Sequence, residues 1–193
     1  MPKDEPSNDP LFKSLAELRD KLDSHYLDKF NRIVPLTEAL GNRWEKARRL
    51  GFGEGANIHD LSFIIGDVRI GENTYVGPYT FLDGTGGLTI GSNCSISAGV
   101  QIYSHDSLKW ALSGGESDYD KTPVSIGSNC YIAPYVVISR GVTLGDHSIV
   151  GTYSLVKSSF PSHSIIMGTP AKRKGTVVIR ENNDIFLQYD EEP

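Results

Sequence analysis

"IGSNCYIAPYVVISRGVTLGDHSIVGTYSLVK", residues 126 to 157, has an aliphatic side chain at every sixth position: Ile126, Ile132, Ile138, Leu144, Val150 and Val156. A helix returns to its buried face every 3.6 residues and a strand every second residue, so a beat of six belongs to neither element alone. Short strands, each with one inward aliphatic and separated by corners of fixed length, do produce it. The beat runs upstream through Ile64, Ile70, Val76 and Leu82, slips by two residues to Ile90, Ile96 and Ile102, and breaks between Ile102 and Ile126. Four positions after many of these aliphatics stands a small or β-branched residue, as at Thr74, Cys94, Cys130 and Ser148. Glycines follow several directly, among them Gly71, Gly91 and Gly127. They are expected to free the backbone for tight corners.

Strands of one length joined by equal corners wind into a solenoid in which each turn stacks on the last. Thirteen hexads, taken three to a turn, predict slightly more than four turns. "IGSNC" occurs at 90–94 and again at 126–130, which places the two copies on the same face of successive turns, Cys94 over Cys130 as small packing residues. A sandwich of short strands would give turn signals every 8 to 12 residues, and the unbroken six-residue phase disfavours it.

The 193 residues are enough for one domain with an appendage, and a net charge of −5 leaves no basic field for nucleic acid or an anionic membrane. No apolar run reaches the ~20 residues of a membrane span, and the acidic, Pro-rich start is unlike a signal peptide, so the expected compartment is the cytoplasm. The two cysteines have neither CxxC nor metal-ligand spacing. His25, His59, His147 and His163 make no H-x4-H pair, so no metal is expected, and His147 is read as an exposed corner residue.

The break holds the candidate chemistry. The 24 residues from Ile102 to Ile126 equal one hexad plus 18 that leave the coil, from about residue 104 to 121. His105 stands at the exit, on rigid strands beneath a loop able to form a pocket. Imidazole, which titrates near neutrality in water, suits a general base there. Asp83, in the slip "LDGTGG", lies about one turn below; it is expected either to bind a ligand hydroxyl or to act only as a turn residue. Asp106 would orient His105 or cap the loop. Lys109 and Trp110 are candidate ligand contacts, the indole offering a flat face. Ala98, Pro134 and Thr152 occupy one slot on three successive turns, with Ser97, Ala133 and Gly151 just before each, a column of small residues that leaves a groove.

The stretch from about 58 to 175 resembles the hexapeptide-repeat acyltransferases. Within them it is similar to the sugar O-acetyltransferases of the maltose and galactoside type and to acetyltransferases of surface-polysaccharide and lipopolysaccharide loci. The likeness is carried by "IGSNCSISAGVQIYSHD", the ejected loop, "PVSIGSNCYIAPYVVISRGVTLGDHSIVGTYSLVKSSFP" and "IIMGTPAKRKG". It implies a left-handed parallel β-helix, an enzyme using acetyl-CoA as co-substrate without a metal, His105 as the catalytic base, and a homotrimer with sites between subunits. By the same resemblance Ala133, Pro134, Gly151, Thr152 and Lys157 match positions lining the coenzyme, and Lys172 and Arg173 in "GTPAKRK" face its phosphates. Tyr131 replaces the indole that many relatives carry after the loop and is taken as a substrate contact. Gly77 stands where the maltose-type enzymes have an acceptor-binding asparagine. Two other readings remain open: N-acetyl transfer to a nucleotide-linked amino sugar, and a β-helix binding module without catalysis.

Outside the coil, Leu11, Leu15, Leu18, Leu22 and Tyr26 fall at helical spacing behind Asp9 as N-cap, and a second short helix is expected within "PLTEALGNRWEKARRLG". These helices would plug the open first turn. "TVVIREN" and "DIFLQYD" read as a hairpin, and the closing DEEP should fray. The expected divisions are 1–57, helical cap; 58–174, β-helix; and 175–193, hairpin and tail.

Overall fold

A computed structural model describes residues 9–190, so most of the closing DEEP lies outside the described residues. The chain divides into two compact units, one ending at Asn42 and the other beginning at Arg43.

In the first unit, α1 spans Pro10–Phe30 and α2 spans Leu36–Leu40. Asp9 caps α1 by accepting the Leu11 N–H at 2.8 Å, and proline at the first helical position suits a site whose N–H would have no partner. Asn31 ends the helix in the left-handed region and donates to the Leu27 carbonyl. No residue of α1 is buried, despite its apolar spacing. The second expected helix is two: α2 stops where Gly41 turns extended, and α3 (Arg43–Arg49) starts within the other unit.

That unit opens with a lid on the first coil. Ala47 of α3 and Phe52 belong to the main core, and Lys46 reaches the His59 and Asp60 carbonyls at 3.0 and 2.8 Å. Within this unit, α3 covers the first coil.

Beyond it the chain forms a parallel β-helix. The first face stacks the strands Asn57–Ile58, Tyr75–Val76, Ser95–Ile96, Tyr131–Ile132, Ile149–Val150 and Ser164–Gly168, six rungs in one sheet. Slightly more than four turns were expected; the sequence count missed the first rung, carried by Ile58, and the last, whose phase is broken by "SSFPSHS". The second face stacks the pairs at 81–82, 101–102, 137–138 and 155–156, and the third pairs 88–90 with 124–126 and then 143–144. Ile58, Val76, Leu82, Ile96, Ile102, Ile132, Ile138, Val150 and Val156 are all fully buried, which makes the six-residue beat the hydrophobic axis of the molecule. Cys94 and Cys130 do lie in one column, each thiol donating to the carbonyl of a neighbouring glycine, Gly127 and Gly145.

The glycines do not work as expected. At the glycines that directly follow the aliphatics, the left-handed corner conformation belongs instead to Asn73, Asn93, Asn129, His147 and His163, two residues after glycine or proline, whereas Gly99 and Gly141 do adopt it at their own corners. What glycine supplies is room: a Cβ on Gly91 would sit 2.6 Å from the Ser128 nitrogen, and one on Gly127 the same distance from that of Asp146. Successive coils touch backbone to backbone there. His147 is half-buried, its ring stacked on His163 at 5.0 Å.

At the C-terminal end the strand Ser164–Gly168 folds back on Ala171–Ile179, which pairs antiparallel with Ile185–Tyr189. The second of these hairpins was legible; the first, turning at Thr169–Pro170 inside "GTPAK", was not.

Candidate active site

The slip of two residues between Leu82 and Ile90 is where the site begins. Leu82 pairs with Ile102 and Ile90 with Ile126, so the strand Phe81–Ile90 runs past a corner and absorbs a bulge opposite Gly66–Val68. Asp83 stands just before this bulge, in register with Ile65 and with no solvent exposure. One carboxylate oxygen accepts the Thr85 N–H at 2.8 Å; the other accepts the Ser104 N–H at 3.0 Å, the His105 N–H at 3.2 Å and the His105 Nδ1–H at 2.5 Å. Burial alone would raise its pKa, but the hydrogen bonds from Thr85, His105 and Ser104 outweigh burial and lower it to about 2. Asp83 is thus ionised and can only accept, which puts the imidazole proton on Nδ1 and leaves Nε2 with its lone pair.

Asp83 was expected to contact an acceptor or to serve only a turn. Its burial and its donors leave nothing for a sugar; the Thr85 N–H bond two residues on is the expected turn, and the other oxygen holds the histidine.

After Ser104 the chain leaves the coil. His105–Asp106 pairs antiparallel with Asp120–Lys121, and the Thr122 N–H closes on the Ser104 carbonyl at 2.9 Å. Between them lies α4, Leu108–Leu112. Arg140, one coil on, binds both sides of this neck: Nε to Asp106 at 2.5 Å and Nη2 to Asp120 at 3.1 Å. Its guanidinium, with the Leu108 N–H, holds the Asp106 carboxyl below the usual range. Lys109 also pairs with Asp120, at 2.9 Å. Asp106, expected to orient His105 or cap the loop, does cap it by accepting the Leu108 N–H at 3.1 Å, and together with Lys109, expected as an acceptor contact, it is part of a clasp. Tyr103, His105, Asp106, Ser107, Ser139 and Arg140 line a cavity of about 370 Å³. Tyr119 stacks on the His105 ring at 6.1 Å and meets Trp110 edge-on at 5.8 Å.

The other predicted residues fall in two places. Pro134 and Thr152 share a column on adjacent coils, the Tyr153 N–H reaching the Pro134 carbonyl and the Gly151 N–H the Ile166 carbonyl. Ala133 precedes Pro134 and is buried, so only its backbone faces that edge. Lys172 is cross-strand from Met167, whose side chain packs over Gly151. Arg173 donates to the Thr176 hydroxyl and lies 3.7 Å from Asp190. All of these precede the second face or stand at its leading edge. Lys157 follows it, in register with Ser139 and Tyr103, on the edge that carries His105. One chain therefore holds the two sets on opposite edges of one face. Tyr131 points outward from the first face and does not join the His105 cavity. Sequence reasoning missed Tyr119, Ser139 and Arg140; the register arithmetic that stacks 103 on 139 would have found Ser139. Among the described residues no three His, Cys, Asp or Glu side chains converge as metal ligands, and no helix is long and apolar enough to cross a membrane.

Comparison with known proteins agrees with this architecture. Residues 64–104 match the hexapeptide repeat of succinyl-transferase, and residues 123–158 match the bacterial transferase hexapeptide. Both matched stretches are hexapeptide repeats. The chain is 33% identical over 140 residues to galactoside O-acetyltransferase of Escherichia coli K12, covering 72% of its own length and 61% of that protein. The chain spans about three fifths of the length of the curated relatives it matches. Its fold is similar to that of AntD, an N-acyltransferase from Bacillus cereus solved with dTDP and 3-hydroxybutyryl-CoA, at a TM-score of 0.57, 24% identity and coverage of 63% and 69%. It is also similar to the hexapeptide-repeat acetyltransferase VCA0836 from Vibrio cholerae, complexed with acetyl coenzyme A, at 0.52, 24% identity and coverage of 88% and 90%.

Proposed function

We propose that the chain is an acetyl-CoA-dependent O-acetyltransferase acting in the cytoplasm on a sugar or a precursor of surface polysaccharide or lipopolysaccharide, with His105 as general base. The observation that carries this reading is the 2.5 Å pair between buried, ionised Asp83 and His105 Nδ1. A carboxylate held there fixes the tautomer and leaves Nε2 to take the proton of an acceptor hydroxyl. Asp83 also stabilises the imidazolium once that proton has moved. Acetyl-CoA supplies the activated acetyl group. The similarity to galactoside O-acetyltransferase supports both the transferred group and a sugar hydroxyl as acceptor.

The small-residue column at Pro134, Gly151 and Thr152, with Lys172 and Arg173 near one end, suits a thin pantetheine arm and its phosphates. It stands on the opposite edge of the second face from His105, so a complete site calls for the facing edge of another chain. That supports a homotrimer with three sites, Lys157 lying on the base's side of each.

The test is His105→Ala, assayed by thiol release from acetyl-CoA with a panel of sugars, nucleotide sugars and polysaccharide repeats. The expected loss in kcat is about 10²- to 10⁴-fold. Near-normal turnover would sink the general-base role and point to an amine acceptor, which attacks a thioester with less help.

A further inference from the structure

The ejected loop contains a second cavity, of about 590 Å³, lined by Trp110, Gly115, Glu116, Ser117, Asp118, Tyr119 and Lys121. Its walls are built rather than loose. Gly114 and Gly115 both have positive φ and end α4 in a turn, with the Gly115 N–H on the Trp110 carbonyl at 2.8 Å. Ser113 locks the turn from both sides, donating to the Trp110 carbonyl and accepting the Ser117 N–H at 2.8 Å. Trp110 and Tyr119 stand perpendicular, and Tyr119 is the ring that stacks on His105. A group seated against these two rings is thus one aromatic wall away from the base.

The charges of the loop sort into two sets. Asp106, Lys109, Asp120 and Arg140 neutralise one another in the clasp. Among the described residues, the side chains of Glu116, Asp118 and Lys121 have no hydrogen-bond or ion-pair partner, and all three line this cavity. Perpendicular aromatic walls suit the C–H faces of a pyranose, and two carboxylates beside one ammonium suit hydroxyl donors while repelling an anionic sugar.

We propose that this cavity is a carbohydrate subsite for a neutral sugar residue of the acceptor, the neighbour of the residue that His105 deprotonates. Trp110 and Tyr119 hold its ring; Glu116 and Asp118 accept from its hydroxyls. A uronic acid or a phosphorylated sugar is excluded there. This rests on the acetyltransferase reading above.

The chain has two tryptophans, so Trp44→Phe makes Trp110 the only indole reporter. The probes are methyl β-lactoside, methyl β-cellobioside and methyl α-maltoside, with cellobiouronic acid as the anionic comparator, titrated into the full-length Trp44→Phe chain. At least one neutral glycoside should change Trp110 emission saturably, the uronate binding at least fivefold more weakly. Adding Glu116→Gln and Asp118→Asn should weaken the neutral sugar about tenfold, because each amide oxygen still accepts a hydroxyl but without the charge that strengthens the bond. Failure of every neutral glycoside to perturb Trp110, or equal binding of the uronate, overturns the subsite. Thiol release with an unchanged sugar KM in the double carboxamide variant overturns the subsite and leaves the acetyltransferase reading standing. Saturable neutral-sugar binding with no thiol release from acetyl-CoA does the reverse.

Discussion

Asp83 is more tightly engaged than its place beside a glycine-rich bulge suggests. Its folded pKa of about 2 lies below its ordinary 3.8, so the carboxylate adds stability that is complete above about pH 4 and is lost as the pH falls towards 2. The shift corresponds to about 2 kcal/mol. Asp83→Asn should flatten the fall in stability between pH 4 and 2 by that amount, measured by urea unfolding at a series of pH values; an unchanged slope would mean the carboxylate is not ionised where it lies. The same variant should lower kcat by about 10²-fold while leaving the KM for acetyl-CoA within about twofold, because it disturbs the tautomer of His105 and no binding contact. The candidacy of His105 could be read from the sequence, since it stands where the beat breaks. The role of Asp83 could not, because a two-residue slip says that a bulge exists and nothing about which way its side chain turns.

Among the elements, the rungs depend on inward aliphatics far more than on their outward neighbours. Ile132, fully buried between Ile96 and Val150, should cost about 2 to 5 kcal/mol when replaced by alanine, whereas Ser125→Ala on an exposed position should stay within about 0.5 kcal/mol. Chemical denaturation separates the two, and a mild effect at Ile132 would show that the axis collapses around the gap. The rungs were legible because their period is unlike that of any other element. The two-stranded turn at Thr169–Pro170 and the split of α2 from α3 were not, because each depends on one backbone conformation, and a proline or glycine marks such a place without stating the outcome. Exposed tyrosines at corners, such as Tyr135 stacked on Tyr153 at 5.1 Å, likewise gave no periodic signal of their own.

At the scale of the whole molecule, the separation of His105 and Lys157 from Pro134 and Thr152 across one face has a measurable result. Mass photometry should find a species of about three times 21.2 kDa. A monomer that retains full turnover would show that one chain closes the site unaided. Mixing His105→Ala chains with chains altered at the donor edge, by Thr152→Trp, should restore some activity through mixed trimers, as happens only when neighbouring copies share each site. The fold class followed from the sequence alone, and sites between subunits were expected from the resemblance; which residues stand at each edge of the face became visible only with the strand register.

The single backbone bond between Thr122 and Ser104, with Arg140 bridging the strands beyond it, pinches the excursion off from the rod. Whatever length or chemistry lies outside that pinch, the rungs on either side keep their alignment. The protein is thus divided into a conserved-geometry handle and an exchangeable cartridge, so that a new recognition loop could be spliced between residues 107 and 119 without retuning the stacking beneath it.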